Sequence, residues 1–125
     1  MNYLLDTHVF LWMLADPERL TAEAKKAIRH PHHSVFVSAV TAVEISIKKG
    51  LGKLDAPENL EEEIESRGLQ HLPLHFRHGA ILETLPDHHQ DPFDRMLVAQ
   101  AICENLILVS HDGKLEPYPV RALWT

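Results

Sequence analysis

The feature that most constrains this chain is an alternation of short apolar runs with longer stretches of helical periodicity. Tyr3 to Leu5, Ser34 to Val37, Leu69 to Leu72, Leu106 to Val109 and Val120 to Leu123 have the length and composition of strands. Helical patterns fall between most of them, and strands joined by helix-length crossovers make a parallel sheet covered by helices. The expected fold class is therefore α/β.

The helical stretches carry their own start and stop signals. A helix from about Val9 to Leu14 is broken by Asp16-Pro17. Thr21 is placed to N-cap the helix AEAKKAIR, and His30-Pro31 closes it because a residue before proline is pushed out of the helical region. TAVEISIKKG puts Val40, Val43 and Ile47 at helical spacing, with Lys48 and Lys49 in the last turn and Gly50 as the residue that ends it. Five glutamates between Glu58 and Glu65, with Leu60 and Ile64 four apart, predict a surface helix ending at Gly68. A helix around Phe76 to Leu82 and a polar loop from Pro86 to Gln90 follow. Asp91-Pro92 then reads as N-cap and first residue of a helix running to about Glu104. With 125 residues and no repeat, linker or low-complexity tract, the expectation is one domain over residues 1–125.

Composition narrows the function. Twelve lysines and arginines face eighteen acids, a net charge of -6, which is wrong for a protein that coats nucleic acid through phosphate contacts alone. The single cysteine, Cys103, excludes an intramolecular disulfide and fits a reducing cytoplasm. The apolar opening MNYLLDTHVFLWMLA lacks a basic start and is interrupted by Asp6 and His8, so it reads as mature structure rather than a signal peptide. No run approaches the ~18 apolar residues of a membrane helix.

On this map four acids hold related positions. Asp6 follows the first strand, Glu44 lies in the helix entered from the second, Asp94 opens the long helix, and Asp112 follows the most strand-like run. In a parallel sheet the carboxyl ends of the strands and the starts of the following helices share one rim, where ligands bind. Clustered carboxylates repel, so such a rim calls for a cation among them. An all-oxygen donor set favours Mg²⁺ or Mn²⁺ over Zn²⁺. Metals held in this way activate water and stabilise phosphoryl transition states.

The segments MNYLLDTH, SAVTAVEISIKKGLGKL, DPFDRMLVAQA and LVSHD, in this order and spacing, resemble a PIN-domain ribonuclease, specifically the VapC-type toxin of a bacterial toxin–antitoxin pair. The resemblance implies a three-layer α/β/α fold around a mainly parallel sheet and a Mg²⁺-dependent endoribonuclease in which Mn²⁺ can substitute. It also implies a homodimer, a small cognate antitoxin and no membrane. Asp6, Glu44, Asp94 and Asp112 match the family's four acids, with Asp6 and Asp94 as principal metal ligands and Glu44 and Asp112 acting directly or through water. Ser110 stands where the family usually has threonine. Asp91 is a fifth carboxylate near the site.

Each acid also has an ordinary structural role open to it. Asp6 can cap the next helix, Thr41 and Glu44 have the spacing of a capping box, Asp94 sits where it complements a helix dipole, and Asp112-Gly113 is a common turn. Thr7, His8, Arg95, Ser110, His111 and Lys48 are candidates for substrate contact. For Arg95 a structural ion pair competes, and for Lys48, Lys49 and Lys53 a solvated helix end. His30, His32, His33, His88 and His89 read as exposed loop residues. Two other functions stay open on the residues alone: a non-catalytic interaction module with the acids as caps, and a small phosphohydrolase. The second fits poorly, because His8 stands where a haloacid-dehalogenase-type enzyme has its second aspartate. If four acids serve the rim and five the surface helix, nine remain against twelve bases, so the net charge does not exclude RNA.

Overall fold

A computed structural model describes residues 1–125. Five strands form one sheet: β1 (Asn2–Leu5), β2 (Ser34–Ser38), β3 (Gln70–Leu72), β4 (Ile107–Ser110) and β5 (Ala122–Trp124). Six helices surround it: α1 (Thr7–Ala15), α2 (Ala22–Arg29), α3 (Ala39–Gly50), α4 (Leu60–Ser66), α5 (Phe76–Thr84) and α6 (Pro92–Cys103). The sheet order is β3-β2-β1-β4-β5, every pairing is parallel, and Tyr3 is in register with Val35 on one side and Ile107 on the other.

Side-chain alternation along the strands creates the layers. Tyr3 and Leu5 of β1 and Val109 of β4 join one core with Val9 and Phe10 of α1, Ala24 of α2, Ile45 of α3 and Ile64 of α4. Leu4 and Leu108, on the opposite face of the same strands, join a second core with Leu97, Val98 and Ala101 of α6 and with Leu85, Leu115 and Tyr118. Helices thus cover both faces, giving a three-layer α/β/α arrangement. From β1 the chain steps outward to β2 and β3, then returns to β4 on the other side. The order therefore reverses between β1 and β4, the switch point at which α/β sheets open a binding crevice.

The element boundaries hold closely, with two instructive differences at α3. The helix begins at Ala39, capped by the Ser38 hydroxyl on the Val40 N–H (2.9 Å), rather than at Thr41. Its end overruns Gly50: Gly52 takes the left-handed conformation (φ 70°), and the N–H groups of Gly52 and Lys53 close on the carbonyls of Lys49 (3.0 Å) and Lys48 (2.9 Å). The buried face of the helix also differs from the expected stripe of Val40, Val43 and Ile47. Val40, Thr41, Glu44 and Ile45 are buried, while Val43 and Ile47 are exposed.

Candidate functional site

β1 and β4 end side by side at the switch point, and the N–H of Asp6 donates to the Val109 carbonyl (3.0 Å). Asp6 is 4% exposed. Its Oδ1 accepts from the Val9 N–H (2.8 Å), capping α1, and its Oδ2 accepts from the Ser110 hydroxyl (2.5 Å). The capping role and a place at the rim coexist, one oxygen for each. Burial pushes the Asp6 carboxyl up, against the opposing pull of Ser110 and the Val9 N–H.

Glu44 does not close a capping box. It lies in the second turn of α3, 2% exposed, where Oε1 accepts from the Thr7 hydroxyl (2.6 Å) and Oε2 from the Lys48 ammonium (2.6 Å). Thr41 meets Thr7 instead, hydroxyl to hydroxyl at 3.1 Å. Lys48 also reaches Asp91 (3.5 Å). Burial alone would lower the Lys48 ammonium, but Glu44 and Asp91 hold it above its ordinary value.

Asp91 N-caps α6 as expected, with Oδ1 accepting from the N–H groups of Phe93 (2.8 Å) and Asp94 (3.4 Å). Asp94 follows in the first turn. Its carboxyl is pushed up to about 7, first by burial and then by the negative charges of Asp91, Glu44 and Asp6, with His89 pulling the other way. Asp112 comes from the turn after β4, where its Oδ1 accepts from the Lys114 N–H (3.0 Å). Burial would raise Asp112, yet that N–H and His89 hold it below the usual carboxylate range.

His89 belongs to this cluster, contrary to its reading as an exposed loop residue. Its side chain is 11% exposed, and Nε2 lies 2.8 Å from Asp112 Oδ2 and 3.2 Å from Asp94 Oδ2. The loop is pinned from below, because the Tyr118 hydroxyl accepts the N–H groups of His88 (3.2 Å) and His89 (3.0 Å). His89 Nδ1 accepts from the Asp91 N–H (3.2 Å), which leaves the ring proton on Nε2, facing the carboxylates. No periodicity marks this residue; its one signal in the sequence is its place two residues before the Asp91 cap.

Asp6, Glu44, Asp91, Asp94 and Asp112 thus line one cleft of about 390 Å³, together with His8, Lys48, His89 and His111 and with no apolar side chain. Among the other candidates, Thr7 and Ser110 act on this cleft by donating to Glu44 and Asp6. Arg95 does not line it: its guanidinium donates to the Leu85 carbonyl (3.2 Å) and pairs with no acid, so neither expected role holds. Lys49 turns to the Ala56 carbonyl (3.2 Å).

Five acids against one ammonium is an excess of negative charge that the protein relieves in part by keeping Asp94 protonated toward neutral pH. Such a donor set fits a divalent cation.

Comparison with known proteins agrees with this architecture. The chain is 29% identical over 123 residues to ribonuclease VapC22 of Mycobacterium tuberculosis, a match that spans 92% of this chain and 90% of that protein. Its fold is shared by VapBC2 of Rickettsia felis, solved bound to a promoter DNA fragment (TM-score 0.74, 15% identity, 98% of each chain). DNA-bound VapBC of Salmonella typhimurium is similar as well (TM-score 0.69, 19% identity, 98% of this chain and 97% of that one). The PIN domain family model matches residues 3–119. That span runs from the first strand past Asp112 and takes in every carboxylate of the cleft, and on it the chain belongs to the PIN domain family.

Proposed function

We propose that this protein is a divalent-metal-dependent endoribonuclease and the toxin half of a bacterial toxin–antitoxin pair, working in the cytoplasm as one domain over residues 1–125. The observation that carries the reading is the convergence of five carboxylates at the sheet's switch point, with Asp94 pushed up to about 7 among them. The similarity to a ribonuclease along most of both chains supports the reaction class.

Asp6 and Asp94 would hold the principal ion, with Glu44, Asp112 and Asp91 completing the site directly or through water. Mg²⁺ or Mn²⁺ there would supply an activated water and charge stabilisation for in-line attack on a phosphodiester. The chain's own groups prepare that place. Ser110 and the Val9 N–H fix both oxygens of Asp6, while Thr7 and Lys48 fix both oxygens of Glu44, so these carboxylates need little reorganisation. Asp94 must give up its proton when a cation binds, so binding strengthens as pH rises toward and through about 7.

The fold's resemblance to chains solved in toxin–antitoxin complexes supports a small protein antitoxin as partner. A second copy of the chain would cover the exposed stripe Val43, Ile47 and Leu51 beside the cleft. No helix is long and apolar enough to cross a membrane.

The test is sequencing of RNA ends after expression of the chain without its antitoxin, with Asp94→Ala as control, backed by cleavage assays on purified protein with Mg²⁺ or Mn²⁺. Discrete new RNA ends that vanish with Asp94→Ala are expected. A purified parent protein that cuts no RNA with either ion, or a variant that cuts as well as the parent, would overturn the reading.

A further inference from the structure

An acidic cleft repels RNA, so a nuclease built on one needs a neighbouring surface that attracts it. Such a surface lies beyond the C-terminal ends of β1 and β4, outside the carboxylates. His8 and Trp12 are one turn apart on the same face of α1, with ring centroids 6.2 Å apart. His111, between Ser110 and Asp112, meets Trp12 edge-on at 4.8 Å. Arg19, from the turn after α1, lays its guanidinium over the Trp12 ring at 4.1 Å. His8, Arg19 and His111 are exposed, and Trp12 is half-buried against the core beneath.

Two further observations point to a ligand. Arg19 has no carboxylate partner, whereas the neighbouring Glu18 is already taken by Lys25 (3.3 Å). The His111 Nδ1 sits 2.7 Å from the main-chain oxygen of Thr125, which can only accept, so Nδ1 carries the proton and Nε2 is left free. His8 and His111 also line the carboxylate cleft, so this ledge and the reaction site are continuous.

We propose that Arg19, Trp12, His111 and His8 form a ledge that holds one nucleotide of the substrate next to the phosphate taken at the carboxylates. The planar guanidinium, backed by the indole, offers a flat positive face on which a base can stack and to which a phosphate can pair, while the imidazoles, inclined to the indole by 43° (His8) and 71° (His111), offer ring nitrogens between that face and the cleft. Bases in a duplex are already stacked on one another and cannot use it; unpaired bases can. This inference rests on the nuclease reading and adds to it the residues that position the substrate.

Binding separates the two. In an Asp94→Asn background, which holds the substrate uncut, a fluorescein-labelled mixed-sequence single-stranded RNA is titrated by anisotropy against the blunt duplex of the same sequence. Trp12→Leu or Arg19→Gln is expected to weaken single-strand binding by about tenfold and to leave duplex binding where it was. With Trp124→Phe added, Trp12 is the sole indole, and single-stranded RNA should quench its emission. Single-stranded DNA binding as well as RNA also supports the ledge, since base plane and phosphate are common to both. Should Trp12→Leu disturb the core, Arg19→Gln, on an exposed side chain, still decides. Single-strand affinity indifferent to Arg19→Gln, or duplex affinity weakened as much as single-strand affinity, overturns the ledge. A parent protein that cuts RNA while the ledge variants bind and cut unchanged sinks the ledge alone; a parent that cuts nothing with Mg²⁺ or Mn²⁺ yet binds the single strand through these residues sinks the nuclease reading alone.

Discussion

Two histidine–carboxylate clusters in this fold are nearly identical in local geometry and opposite in meaning. At the cleft, His89 Nε2 is 2.8 Å from Asp112, and its Nδ1 accepts a backbone N–H from Asp91. Between α5 and α6, His78 Nε2 is 2.8 Å from Glu104, and its Nδ1 accepts a backbone N–H from His75 (2.9 Å). Both have the composition of a metal site, the second with Cys103 at hand. What separates them is charge balance. Arg77 (2.8 Å) and His78 hold Glu104 down to about 2, so that cluster is electrically complete and joins two helices. In the cleft, five acids share Lys48 and His89, and Asp94 is driven up to about 7. A histidine beside an acid marks a structural clamp where the charges close, and a reactive place where they do not.

Substitutions should pull the two clusters apart. Asp94→Asn is expected to lower RNA cleavage on the order of 100-fold or more, since even changes to groups that support metal ligands cost 10–100-fold. The same change removes one of several repelling charges, so the metal-free protein should melt no lower than the parent at pH 8. His78→Ala should do the reverse. Its ring is fully buried and satisfies both Glu104 and the His75 N–H, so its loss should cost about 2–4 kcal/mol of stability, measured by urea denaturation. RNA cleavage per folded molecule should stay unchanged. Loss of activity in folded His78→Ala protein would end the distinction.

The pH dependence sharpens it further. Asp94 goes from an ordinary 3.8 to about 7 in the folded chain. Its contribution to stability is present at low pH and is lost as pH rises through about 7. In EDTA the melting temperature should therefore fall between about pH 5.5 and 7 and level off above that, and the slope should flatten in Asp94→Asn. Glu104 is held down from 4.5 to about 2, so its contribution is lost only as pH falls through that range and adds no slope near neutrality. Mg²⁺ or Mn²⁺ at 100 times its Kd should restore about 2.7 kcal/mol at pH 8 in the parent. A metal-free melting temperature indifferent to pH from about 5.5 to 7 would say that the cleft acids are not coupled.

The contrast also explains what the sequence could reveal. Alternation in β1 and β4, the Thr21 and Asp91 caps and the proline breaks are local signals, and they delivered the α/β class and most boundaries. The convergence of the four acids was legible because Asp6 and Asp112 follow strands, Asp94 opens a helix and Glu44 lies in the helix entered from β2, positions that topology brings to one rim. Thr41-x-x-Glu44 has the spacing of a capping box, a role that competes with the rim for Glu44, but Ser38, three residues before Thr41, is the cap. Arg95 was drawn toward the site by its neighbour Asp94, but helix rotation turns it to Leu85. His89 was missed because its role depends on Tyr118, 29 residues later, which folds the loop inward. Charge balance is likewise a property of several distant segments, and no local pattern encodes it.

The smallest expected effect falls on His89 itself. With Nδ1 accepting from the Asp91 N–H, the proton sits on Nε2, and a protonated nitrogen cannot donate a lone pair to a metal. In this arrangement His89 holds Asp94 and Asp112 by hydrogen bonds in the place a cation needs, and it must give way when one binds. His89→Ala should then raise Mn²⁺ affinity about three- to tenfold, the equivalent of roughly one net hydrogen bond of 0.5–1.5 kcal/mol, measured by isothermal titration calorimetry. It should also lower the melting temperature of the metal-free protein, because Asp94 and Asp112 lose their shared donor. If the variant binds Mn²⁺ more weakly, His89 turns its tautomer to serve as a ligand, and the cleft has a nitrogen donor in place of an all-oxygen set. The corresponding change at His78 should leave Mn²⁺ affinity where it was, since a cluster whose charges already close has no vacancy to offer an ion.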